Sequence, residues 1–183
     1  MVLDQVNGLP VHVLVLHAAV IFVPLLALGA IVYGFVAAWR PKIGWAVALL
    51  AVVAPIAALI TKLSGTEFYN RLLAEERVSA PGKVILDSHM EYGTITLFLA
   101  LALGVLSLIL VVLTARNPRA LPKIADLAFA VVLLVLGGLS VWYLYQTGDS
   151  GAATARAPSP APSTSPSTPP EPPSTTSANA SCR

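Results

Sequence analysis

Residues 11–39 read VHVLVLHAAVIFVPLLALGAIVYGFVAAW and contain no Asp, Glu, Lys or Arg. About 20 helical residues cross the hydrocarbon core of a bilayer, so this run predicts a membrane-crossing helix. Three further runs have the same character: 43–63, which meets a charge only at Lys62; 92–115, uncharged; and 124–145, with Asp126 near its start. Backbone groups in hydrocarbon must be hydrogen-bonded within the protein, and the alternation of a barrel strand is absent, so all four runs read as helices. The first ten residues, MVLDQVNGLP, carry no Lys or Arg, and the apolar run behind them is longer than the core of a signal peptide. The expectation is a retained first helix.

Composition agrees. Of 183 residues, 56% are hydrophobic and 11% charged, and mean hydropathy is +0.79. Soluble domains carry roughly 25% charged residues, which excludes an ordinary soluble protein. The single cysteine, Cys182, excludes a disulfide scaffold, and a net charge of +2 gives no basic footprint for nucleic acid. The fold class expected is all-α: an integral membrane four-helix bundle with a disordered C-terminal tail. Its parts are an N-terminal segment (1–10), a transmembrane domain (11–148) with helices near 11–39, 43–63, 89–115 and 124–146, and a tail (149–183). Within the tail, APSPAPSTSPSTPPEPPSTTS cannot bury a core.

Loop charge sets the expected orientation. Arg40 and Lys42 follow the first helix, and Arg116, Arg119 and Lys123 follow the third, with no acid between the helix ends. The longer middle segment mixes Arg71, Arg77 and Lys83 with Glu67, Glu75, Glu76 and Asp87. The basic loops therefore belong to the cytoplasm, and both termini lie outside it. Ser64 and Glu67 form a capping-box pattern that would open a surface helix over 65–79, ended by Pro81-Gly82. Ser88 and Glu91 would cap the third helix in the same way.

Ionisable residues in spanning segments mark functional candidates. The three histidines, His12, His17 and His89, all fall at the outer side. His17 is expected to face inward, on the face of Pro24, with His12 at the interface. Contact between the first and third helices would then bring His17 and His89 to one site. On the third helix His89, Gly93, Thr96, Ala100, Gly104 and Ser107 fall within about an 80° arc. Such a stripe of small and hydroxyl residues serves helix packing and also leaves room for a planar cofactor.

With these residues in view, the chain resembles the bacterial membrane family known as domain of unknown function 2231. The stretch GLPVHVLVLHAAVIFVPLLAL is similar to its first helix through Gly8, Leu9, Pro10, His12, His17 and Pro24. Ser64-Gly65-Thr66-Glu67 resembles the family's turn after helix two, and His89 stands where a histidine opens helix three. Thr147-Gly148-Asp149-Ser150-Gly151-Ala152 resembles its G-H-S-G-A signature, with Asp149 in place of histidine. The resemblance covers about residues 8–152. It implies a histidine-bearing bundle similar to two-haem cytochrome b-type proteins, hence haem b or a transition metal in an electron-transfer role. His17, His89 and His12 would hold a cofactor, and Glu67 and Asp149 would join them around a metal. The alternative is a non-catalytic scaffold or accessory subunit of an envelope or respiratory complex, its histidines forming interhelical hydrogen bonds. The partners expected are the lipid bilayer and a membrane protein, in the bacterial inner membrane, with no nucleic acid.

Overall fold

A computed structural model describes residues 5–6, 9–75, 78–119 and 121–156. Four helices dominate: α1 (Val11–Phe35), α2 (Arg40–Ala74), α3 (Ala80–Thr114) and α4 (Lys123–Arg156). A 3-10 turn, Ala37–Trp39, joins α1 to α2. Before α1, Gln5–Val6 and Leu9–Pro10 pair antiparallel over two residues each.

Each helix packs on its neighbours in sequence, and α4 closes back on α1, giving a four-cornered ring. The first and third helices therefore stand on a diagonal and touch little. The contact expected between α1 and α3 is thus slight, and each packs mainly on α2 and α4.

All four helices are long and apolar enough to cross a membrane. The core is built from small and branched residues, among them Val23, Leu26, Ala30, Ala51, Ala54, Ala100, Leu103 and Leu133. The outside is apolar too: Trp45, Phe98, Val112 and Ile124 are all more than 60% exposed. Large apolar side chains on every outward face suit lipid as solvent. The protein is an all-α membrane four-helix bundle.

The helices run past the apolar stretches that predict them. The structure has no break near residue 64, and the expected surface helix over 65–79 is instead the last part of α2. Ser64 does not cap a new helix: its hydroxyl donates back to the Thr61 carbonyl (3.0 Å), as Thr66 donates to Lys62 (3.0 Å). A hydroxyl satisfied three or four residues back sits comfortably inside a helix. The same holds at Ser88, which donates to the Val84 carbonyl (3.1 Å). The third helix starts at Ala80, not 89. Its cap is Ser79, whose Oγ accepts from the Gly82 N–H (3.4 Å). Pro81, expected as a terminator, lies in the first turn, where its missing N–H costs nothing. The fourth helix continues to Arg156, so residues 149–156 belong to the bundle rather than the tail. Residues 157–183 lie outside the described part, and so does the expected disorder there.

One close approach fixes α2 against α3. Pro55 cannot donate to the carbonyl of Ala51, and that oxygen faces Gly104. A Cβ at Gly104 would stand 2.6 Å from it and 2.9 Å from Pro55 Cγ. The small-residue stripe of α3 thus draws in a neighbouring backbone, instead of leaving room for a planar group. Thr96, Ala100 and Ser107 on the same stripe are buried.

Candidate functional site at the His89 end

Polar residues gather at two levels of the bundle. One is the end where α1 finishes and α2 begins, here called the Arg40 end. The other is the opposite end, near His89. Lys62 stands about 33 Å along α2 from Arg40 at 1.5 Å per residue, so the two levels flank a hydrocarbon core of about 30 Å.

At the His89 end, His89 leans from α3 onto α4. Its Nδ1 lies 2.8 Å from the Thr147 carbonyl and 3.3 Å from Ser150 Oγ. A carbonyl only accepts, so Nδ1 carries the proton and donates. Ser150 Oγ donates to the same carbonyl (3.0 Å). Gly151 makes the approach feasible: a Cβ there would stand 3.1 Å from His89 Cε1 and 3.2 Å from Nδ1. Deeper in, the hydroxyls of Thr96 and Thr147 lie 3.2 Å apart across the α3–α4 seam. On the other side, Lys62 Nζ donates from α2 to the Met90 carbonyl of α3 (3.1 Å). Thr61 donates to the Ala57 carbonyl (2.8 Å) and approaches that of Val15 on α1 (3.2 Å). Hydrogen bonds tie α2 to α3 and α3 to α4 at this level, and the Val15 carbonyl of α1 comes within 3.2 Å of Thr61.

Between these groups lies a cavity of about 50 Å³. Its polar lining comes from Thr61, Lys62, His89, Thr96 and Thr147, and Leu16, Ala19, Ala58 and Leu144 supply apolar walls. At 10–15 Å³ for one water, the space takes roughly three to five atoms of that size. A haem macrocycle does not fit it.

The residues marked from sequence fall as follows. His89 is half-buried and lines the cavity. His17, expected to face inward, is exposed on α1 and absent from the lining. Glu67 and Asp149 are exposed on α2 and α4. The side chain of His12 lies outside the described part. Among the described residues, no three His, Cys, Asp or Glu side chains converge as metal ligands. Among the described residues, His17 and His89 therefore do not share the cavity lining. Asp87 is engaged elsewhere: Tyr69 donates to it (2.6 Å), joining the extended parts of α2 and α3.

Sequence reading missed the most heavily bonded polar residue, Arg40, which is only 2% exposed. Its Nε donates to the Tyr33 carbonyl (3.0 Å) and its Nη2 to that of Gly34 (2.9 Å), capping the carbonyls at the end of α1. Nη1 donates to Pro118 in the α3–α4 loop (2.8 Å), and Nη2 pairs with Asp126 of α4 (2.6 Å). Thr114 donates to the Leu110 carbonyl (2.7 Å), so the Tyr33 hydroxyl donates to Thr114 Oγ1 (2.8 Å). One signal was readable beforehand: Asp126 is the sole acid beside Arg40, Lys42, Arg116, Arg119 and Lys123.

Comparison of the chain with family models, with curated proteins and with solved structures found no match.

Proposed function

We propose that the protein is a non-catalytic membrane scaffold or accessory subunit of an envelope or respiratory complex. The observation that carries this reading is the use made of His89. Its Nδ1 is committed to an interhelical hydrogen bond with Thr147, which is what a histidine does when it joins helices. The redox alternative, haem b or a transition metal held by His12, His17 and His89 with Glu67 and Asp149, has less support. His17, Glu67 and Asp149 are exposed, and the cavity beside His89 is too small for a macrocycle.

The proposed seat is the bacterial inner membrane, with the Arg40 end in the cytoplasm and both termini outside. The support is charge: Arg40, Lys42, Arg116, Arg119 and Lys123 crowd one end, whereas acids and bases mix at the other. Membership of the domain of unknown function 2231 family belongs to the same proposal. It is supported by contact between two of the resembling segments, because His89 packs on Thr147, Ser150 and Gly151.

The test is purification of the full chain from its native membrane in mild detergent, with an absorption spectrum and metal analysis. Expected is stoichiometric co-purification with a defined membrane complex and no Soret band. A monomer that purifies alone overturns the scaffold. A Soret band lost in His89→Ala restores the redox reading.

A further inference from the structure

The two charged levels differ in one respect that points to a ligand. At the Arg40 end the buried cation has its counter-ion, Asp126. At the His89 end, among the described residues, no carboxylate pairs with Lys62 and its one hydrogen bond runs to the Met90 carbonyl. An ammonium has three N–H groups, so two remain for another acceptor. Lys62 is half-buried and lines the 50 Å³ cavity. Its ammonium turns onto the α3 backbone at the cavity wall.

The cavity itself selects among anions. Its hydroxyls are already donating: Thr61 to Ala57, Thr96 to Tyr92 and Thr147 to Tyr143. The hydrogen bonds of His89 run through Nδ1. Lys62 is therefore the main donor, which suits a monoanion and leaves a phosphate dianion under-bonded. The remaining wall is apolar, from Leu16, Ala19, Ala58 and Leu144. The volume admits a few heavy atoms. The geometry points to a carboxylate site, in which Lys62 pairs with a carboxylate group whose apolar stem lies along α1 and α4. That carboxylate comes either from a short soluble acid or from a membrane fatty acid. The site stands independently of the scaffold reading.

The experiment uses the full chain in detergent, titrated separately with propionate and palmitate labelled with carbon-13 at the carboxyl group. Saturable binding of at least one acid is expected, weakened tenfold or more in Lys62→Met and unchanged in Lys83→Met, an exposed lysine outside the cavity lining. Binding of palmitate alone assigns the site to a membrane fatty acid; binding of propionate assigns it to a soluble acid. Should Lys62→Met not fold, nitrogen-15 spectra of the wild-type lysines replace it, and one Nζ resonance moves on titration. Absence of saturable binding by either acid overturns the proposal. So does undiminished binding by a folded Lys62→Met, or a wild-type titration in which no lysine resonance moves.

Discussion

The Arg40 end and the His89 end solve the same problem in opposite ways. Both place a cation at the edge of the hydrocarbon. At the Arg40 end one guanidinium donates to three carbonyls and a carboxylate and joins α1, α2, α4 and the α3–α4 loop. At the His89 end the interhelical bonds come separately from His89 and Lys62, Thr61 and Thr96 donate within their own helices, and a cavity remains between them. A closed network makes a clamp, and a dispersed one leaves space. The difference teaches that polarity inside a membrane bundle is either spent on the fold or held available.

The sharpest way to break this contrast is Arg40→Met. Arg40 is buried but Asp126 is 28% exposed, so removing Arg40 should cost about 3 kcal/mol, the low end for a buried pair, and the carbonyls of Tyr33, Gly34 and Pro118 lose a donor as well. Unfolding titrations in mixed micelles should show a loss of that size. A cost no larger than that of His89→Leu makes the two ends equivalent.

Between the ends, Gly104→Ala should cost about 1–3 kcal/mol, because the new methyl meets the Ala51 carbonyl. Gly138, with nothing within 4 Å of its Cβ position, is the counterpart. Gly138→Ala should stay within about 0.5 kcal/mol of wild type. Equal melting temperatures for the two variants would mean that the α2–α3 close approach carries no stability.

At the His89 end the effects are smaller. His89→Leu should cost about 1 kcal/mol, within the range measured for interhelical hydrogen bonds in membranes. Thr147→Val leaves the accepting carbonyl in place and removes only the hydroxyl near Thr96. Its cost should be about 0.6 kcal/mol or less. A larger loss for Thr147→Val than for His89→Leu would move the centre of this level from the histidine to the threonine pair.

The four spans were readable because an uncharged apolar run of that length finds a suitable solvent in hydrocarbon and almost nowhere else. Their ends were not. Ser64 and Ser88 carry the pattern of capping residues, but a serine that bonds its own preceding turn gives the same letters. The facing of α1 was also hidden. A soluble helix shows which side is buried through its alternation of polar and apolar residues. In α1 both the core side, with Val23 and Leu26, and the lipid side, with Ile21 and Leu28, are apolar. Pro24 alone did not orient His17. His89 was identifiable as an ionisable group at a span's edge. Its partner was not, because the Thr147 carbonyl is backbone and carries no residue-specific letter.

The separation of the two levels has a further consequence for the surrounding lipid. A bilayer thinner or thicker than about 30 Å must be met by tilt or by movement of the interfacial side chains. Arg40, held by four bonds, cannot follow a shifting boundary. Lys62, held by one, can swing its long stem outward. Hydrophobic mismatch is therefore met more easily at the Lys62 level than at the Arg40 level, where the clamp would have to break first.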